Sequence, residues 1–247
     1  MLNICVCIPV RYNSKRLPGK PLLVIDNETI IEKTYKQVLK SKYIKKEDVY
    51  IMTDNKYIEQ NVKSFGCCGD NIIMTDVHCE NALQRISKYL HLLPKKYDTI
   101  LNVHGDEPYI NPKNIDYLIE NFSNESTLLY RKLTLEESKK TSTVKIVTGK
   151  NNNILYCSRF AIPYSKNKNY NNYIGIIGIH IFKRDTLAEY HKDISSYLYK
   201  LCNEDIEELK FIEMGYSIKG IKAPHKNEIS LNTEEDFQYL INKYVSY

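Results

Sequence analysis

The sequence predicts an α/β fold: a mixed, mostly parallel sheet with helices on both faces. Through the first half of the chain, apolar strand-like runs alternate with segments of helical spacing. A βαβαβαβα order of this kind implies parallel strands joined by crossover helices. From about Thr127 the rhythm shifts to strands with short links, which adds a β-rich portion. With 247 residues, 43% hydrophobic and 26% charged, the chain has an ordinary globular composition. It shows no internal repeat and no linker, so one domain spanning 1–247 is expected.

The elements follow in order. "NICVCIPV" reads as a buried strand, and "TIIEKTYKQVLKS" as a helix with Ile30, Ile31, Tyr35, Val38 and Leu39 at helical spacing. "DVYIMTD" is a second strand, and "NKYIEQNVKSFG" a helix closed by Gly66. "NIIMT" is a short third strand. "ENALQRISKYLHLL" is an amphipathic helix with Leu83, Ile86 and Leu90 on one face. "DTILNVHGDEP" is a strand running into an acidic turn, and "PKNIDYLIENF" is a helix with proline in its first turn. In the second half, "STVKIVTG", "NILYCSR", "YIGIIGIHIFK" and "YSIKGIKA" read as strands. "RDTLAEYHK", "NEDIEELKFIEMG" and "TEEDFQYLINKYV" read as helices. "SKNKNYNNY" is polar and aperiodic, a long loop or flap.

Composition excludes several classes. The longest apolar runs, such as "IGIIGIHIF", reach about half the length of a membrane span. The amino terminus has no basic segment ahead of its apolar run and no small-residue cleavage site, so no signal peptide is expected. The net charge of +5 is mild and dispersed, which argues against nucleic acid and suits an anionic small molecule. Seven cysteines, an odd number with no C-x-x-C pair, read as free thiols of a reducing, cytoplasmic compartment and not as zinc ligands.

Two loops carry the chemistry. "IPVRYNSKRLPGKPL" places Arg11, Arg16 and Lys20 in a turn-rich loop at the end of the first strand. "NVHGDEP" places Asp106 at a glycine turn at the end of another. In open parallel sheets, ligands bind outside the carboxyl ends of strands, so both loops are expected at one crevice. Arg and Lys make charge-assisted bonds to phosphate oxygens, and a carboxylate suits a hard cation such as Mg²⁺ bridging them. Together they predict a nucleoside triphosphate with magnesium. The spacing is not that of a P-loop, and no G-x-G-x-x-G follows the first strand, which disfavours a dinucleotide-binding reductase. Taken singly, each loop also reads as ordinary surface charge or an ordinary turn.

These residues resemble a known family. "IPVRYNSKRLPGKPL" is similar to the opening signature of sugar nucleotidyltransferases that act on acidic sugars. "NVHGDEPYI" resembles the "N-V-Q-G-D-E-P" motif of the CMP-Kdo synthetase (3-deoxy-manno-octulosonate cytidylyltransferase) family. "STVKIV", "ILYCSRFAIPY", "YIGIIGI", "EDIEELKFIEMGYSIKG" and "LNTEEDF" follow in the family's order. The resemblance implies a Rossmann-like nucleotidyltransferase fold with a β-rich dimerisation insertion near 155–185, hence a homodimer. It implies transfer of CMP from CTP to an acidic 2-keto sugar in lipopolysaccharide biosynthesis, with release of pyrophosphate. Carried over, Arg11, Arg16 and Lys20 hold the triphosphate, and Pro9, Val10, Arg11 and His104 meet the nucleotide. Asp106 and Asn232 take the Mg²⁺ positions. Arg159, Tyr173, Glu204 and Glu207 face the sugar.

The chain departs from the family pattern at specific places. His104 replaces the glutamine before Gly-Asp-Glu-Pro, Tyr173 replaces a histidine, and Asn232 replaces a carboxylate. "HCENALQRI" keeps His78 and Arg85 but loses a small Gly-Thr pair. The changes gather around sugar and metal, which leaves open a non-catalytic nucleotide-sugar-binding relative.

Overall fold

The structure is a computed structural model that describes residues 2–14, 16–167, 170–192 and 205–245. Strands β1 (Ile4–Val10), β4 (Val49–Thr53), β5 (Ile72–Met74) and β6 (Thr99–Val103) are the four parallel strands of the first half. Helices α1 (Ile30–Val38), α2 (Lys56–Ser64), α3 (Ala82–Tyr89) and α4 (Pro112–Glu120) alternate with them. Each helix begins on a side chain that accepts a free N–H of the first turn: Thr29, Asn55, Asn81 and Asn111. Gly66, at φ +87°, ends α2 in the left-handed region, as the sequence predicts.

The second half supplies β7 (Ser126–Lys132), β8 (Lys145–Thr148), β9 (Ile154–Ser158), β10 (Ile174–Lys183) and β11 (Ile218–Lys222). It also holds α5 (Leu135–Lys139), α6 (Arg184–Glu189), α7 (Glu207–Glu213) and α8 (Glu234–Tyr244). A small hairpin of β2 (Val24–Ile25) and β3 (Glu28–Thr29) precedes α1. The main sheet runs β11-β7-β10-β6-β1-β4-β5, with β8 branching from β10 and β9 from β8. β1, β4, β5 and β6 are parallel, whereas β10 is antiparallel to both of its neighbours in that path.

Alternation along the strands sorts the core into two layers. Val6, Ile8, Ile51, Leu101, Val103, Ile179 and Ile181 face α1, α2 and α4. Cys5, Cys7, Met52, Ile100 and Phe182 face α3, α6 and α7. Each fully buried aliphatic side chain contributes about 1.5–3 kcal/mol, so both layers are needed to order the sheet. A third, smaller cluster of Leu17, Ile25, Ile30, Leu231 and Leu240 fixes the basic loop against the segment leading into α8.

Two expectations need correction. Residues 155–185 do not form a separate insertion. β10, inside that range, is a central strand, because its alternate residues are apolar on both faces and pack into both layers. The peripheral arm is β8 with β9, joined to β10 at Lys145 and Gly175. The sequence reading also passed over β7, whose residues at the carboxyl end are polar enough to hide the strand pattern. The flap at 165–173 carries no strand or helix among its described residues.

Candidate active site

β1 and β6 are adjacent and parallel, in register from Ile4 with Thr99 to Cys7 with Asn102. Their carboxyl ends therefore deliver the basic loop and the acidic turn to one place. Gly105 makes this approach possible. A Cβ there would sit 2.8 Å from the Val10 side chain and 3.2 Å from the Pro9 carbonyl. Gly19, at φ +66°, turns the basic loop back, and its N–H donates to the Tyr12 carbonyl at 3.3 Å. The result is a cavity of about 830 Å³ lined by both loops and by residues of β10 and α7.

The basic end of the cavity holds Pro9, Val10, Arg11, Arg16, Lys20, Asp106 and Asn232 in its wall, as the sequence predicts. Lys20 Nζ donates to Asp106 in a short ion pair, and to the Leu231 carbonyl at 3.0 Å. Burial alone would raise the Asp106 carboxyl, but the Lys20 ammonium and the His104 ring outweigh it and hold the group below its ordinary value. Arg16 Nη2 donates to Asn232 Oδ1 at 3.2 Å. The Asp236 carboxylate does not stand in for Asn232. It accepts from the Asn232 and Thr233 N–H groups, both at 3.0 Å, and caps α8.

The other end is built around His104 and α7. His104 Nε2 lies 3.2 Å from Glu207 Oε1, and Glu207 Oε2 accepts from the Leu83 N–H at 3.0 Å. Burial would lower the His104 pKa, but the Glu207 carboxylate raises it further, to about 9, so the ring is a cation at neutral pH. Arg159 lines the same wall, with its guanidinium donating to the carbonyls of Thr141 at 3.1 Å and Asp205 at 3.2 Å. Lys145, wholly buried, donates to the carbonyls of Lys140, Thr143 and Arg159 and so ties β8 to the arm that carries Arg159.

Two sugar-end expectations fare differently. Tyr173 is not in the cavity wall. It stands edge-on to Tyr170 at 5.0 Å, and its carbonyl accepts from Leu133 N–H, because the chain there is already entering β10 beside β7. Glu204 lies outside the described residues.

The structure gives Arg85, noted in the sequence only as a retained motif residue, a partner, and adds Asp54, Glu107, Arg131 and Glu208, which sequence reasoning did not single out. Arg85 pairs with Asp54 at 2.8 Å, both nearly buried, and Asp54 Oδ1 accepts from the Tyr12 N–H at 3.4 Å, where the basic loop begins. Glu107 accepts from Gly178 N–H at 3.2 Å and from Ser230. Burial and the Asp106 charge push its carboxyl up to about 7. Gly178 is required there, since a Cβ would lie 2.5 Å from Glu107 Oε1. Arg131, paired with Glu137 at 2.8 Å, and Glu208 complete the wall. Asp54 and Arg85 are 31 residues apart, and no local pattern links them; Glu107 and Glu208 sat beside residues already chosen.

The donors at the basic end fit a magnesium ion. They are hard oxygens, the Asp106 carboxylate and the Asn232 amide carbonyl, and each is covered here by a cation, Lys20 or Arg16.

Known proteins resemble this chain over most of its length. A family model described as cytidylyltransferase matches residues 5–223. A 3-deoxy-manno-octulosonate cytidylyltransferase of Fusobacterium nucleatum is 37% identical over 240 residues, covering 95% of this chain and 94% of the relative. The enzyme of that name from Escherichia coli is 31% identical, covering 90% and 89%. A solved structure of CMP:2-keto-3-deoxy-manno-octonic acid synthetase complexed with CTP superposes with a TM-score of 0.84 at 28% identity, over 97% of both chains.

Proposed function

The chain belongs to the cytidylyltransferase family, and from that premise we infer that it transfers CMP from CTP to 3-deoxy-manno-octulosonate (Kdo), releasing pyrophosphate. The observation that carries the reading is one cavity walled at one end by Arg11, Arg16, Lys20 and Asp106 and at the other by His104, Glu207 and Arg159. A triphosphate fits the cationic end, and an acidic polyhydroxy sugar fits the end with a guanidinium and paired polar groups.

The reaction is an in-line attack of the anomeric hydroxyl on the α-phosphorus. It asks for positioning and charge stabilisation more than covalent work. Lys20 and Arg16 are held by Asp106 and Asn232 without substrate, and they exchange these partners for phosphate oxygens when CTP binds. That exchange keeps the loop in place beforehand and spares the cations a reorientation. Glu107 locks the acidic turn to Gly178 and Ser230, which fixes where Asp106 points. Arg159 faces the sugar carboxylate, and the charged His104, oriented by Glu207, offers a donor to a sugar or ribose oxygen. Asp106 and Asn232 would hold Mg²⁺, which would supply charge neutralisation at the triphosphate.

A homodimer and a cytoplasmic setting are part of the same proposal. Leu155, Phe160 and Tyr164 are 59%, 75% and 86% exposed on β9 and the chain after it, a surface suited to a second copy. The six described cysteines are free, as in a reducing compartment.

The experiment is pyrophosphate release with each of the four nucleoside triphosphates against a panel of 2-keto acid sugars. Release with CTP and Kdo above every other pair is the expected result. Release with no pair, alongside CTP binding, would return the non-catalytic reading.

A further inference from the structure

Behind the sugar-end wall, and sharing Glu207 and Glu208 with it, lies a buried polar cluster. His180 on β10 is directly opposite Asn102 on β6, on the sheet face that carries α7. Both are buried, and among the described residues both ring nitrogens of His180 and both amide atoms of Asn102 have no hydrogen-bond partner. An unpaired buried polar atom is costly, so four in facing side chains call for an occupant. Glu207 and Glu208, both buried, bring carboxylates to His180, with one ligand atom from each of the three within 4.8 Å of the others.

The distances favour a cation over a proton. His180 Nε2 is 3.3 Å from Glu208 Oε1, yet the pair is not aligned as a hydrogen bond. In a tetrahedral zinc site with bonds of about 2.0–2.1 Å, neighbouring ligand atoms stand about 3.3 Å apart. Glu207 brings the third ligand atom within 4.8 Å of the other two; its Oε1 also meets His104 Nε2 at 3.2 Å, and its Oε2 is oriented by the Leu83 N–H, as outer partners orient metal ligands.

We propose that His180, Glu207 and Glu208 bind a divalent transition ion of the zinc class, with Asn102 placed to give a fourth, carbonyl ligand. The site is separate from the Asp106 position and independent of nucleotide. It pins α7 to β6 and β10 and so stiffens the wall that carries Glu207. One histidine with carboxylates suits zinc, cobalt or manganese better than magnesium.

The test uses the full chain, stripped with chelator and dialysed against Zn²⁺ or Co²⁺ without nucleotide. One ion per chain retained through gel filtration is expected, with the weak visible bands of a nitrogen and oxygen cobalt site. Glu208→Gln and His180→Gln should each weaken binding at least tenfold, while Asp106→Asn should leave it unchanged. Zinc should raise the melting temperature of the native chain and not of Glu208→Gln. Glu208→Gln keeps side-chain volume, so it decides the matter if His180→Gln does not fold. The proposal is overturned by absence of binding, by full stoichiometry in a folded Glu208→Gln, by loss of binding in Asp106→Asn, or by an intense thiolate band placing cobalt on cysteine.

Discussion

The two ends of the cavity are made in opposite ways. At the phosphate end, three cations come from one loop of ten residues, Arg11 to Lys20, and meet their acidic partner across one pair of adjacent strands. At the sugar end, His104, Arg159 and Glu207 come from the chain just after β6, the chain after β9 and α7, separated by scores of residues. The phosphate end holds its charges on side chains, Lys20 on Asp106 and Arg16 on Asn232, with one backbone contact from Lys20 to the Leu231 carbonyl. The sugar end holds them in pairs anchored to backbone, Arg159 on two carbonyls and Glu207 on a helix N–H. A short motif can gather the charges that a triphosphate needs, whereas a wall built from distant segments gathers its groups one residue at a time.

That contrast is broken most directly at Asp106. Asp106→Asn removes the charge paired with Lys20 and the proposed carboxylate of the magnesium site at once. Pyrophosphate release should fall by roughly a hundredfold to a thousandfold or more, as when a main electrostatic stabiliser is lost. A variant within tenfold of the native rate would show that the acidic turn is only a partner for Lys20.

Lys20→Ala is the next largest. A charge-assisted contact to a phosphate is worth on the order of 1.5–3 kcal/mol, roughly tenfold to a hundredfold in affinity. The loss should fall on CTP and spare CMP, measured by calorimetry on both. Equal losses would mean that Lys20 acts only by holding Asp106 and the Leu231 carbonyl, and the phosphate end would then be a structural pair.

The same contrast explains what could be read from the sequence. The parallel strands, the Gly66 end of α2, the proline in the first turn of α4 and the meeting of two loops followed from local patterns, because strand alternation, helix-end residues and strand-end loops are short-range signals. Arg85 with Asp54 was not legible, since a buried pair joining α3 to the end of β4 has no periodic trace. β10 was read as a strand but misplaced, because apolar residues on both faces fit an interface as well as a sheet centre. Tyr173 was carried over by position in a motif, but its side chain packs beside the flap, which sequence order alone does not reveal.

Asn232→Asp sharpens the comparison at a site where the phosphate end has itself drifted. Arg16 now donates to the amide carbonyl of Asn232. A carboxylate there would add a charge beside Asp106 and a second anionic ligand for magnesium. The magnesium concentration giving half-maximal pyrophosphate release should drop by roughly tenfold, about 1.4 kcal/mol. Arg16 would pair with the new carboxylate, so the variant should also bind CTP more weakly when magnesium is withheld. An active variant with unchanged magnesium dependence would remove position 232 from the metal site.

The smallest expected effect lies at the sugar end, in His104→Gln. The Glu207 carboxylate lifts the folded pKa of His104 to about 9, above the ordinary imidazole value of 6.5. A raised pKa of this kind stabilises the fold fully below pH 6.5 and loses that contribution as pH rises towards 9. A partly exposed charge-assisted bond contributes about 1 kcal/mol, or about 2–4 °C in Tm for a chain of this size. Glutamine can still donate to Glu207 but carries no charge. The native chain should therefore melt above His104→Gln at pH 6, with the gap closing by pH 9.5. A gap that stays constant with pH would mean that His104 is a neutral packing residue, and that the cation facing the sugar is Arg159 alone.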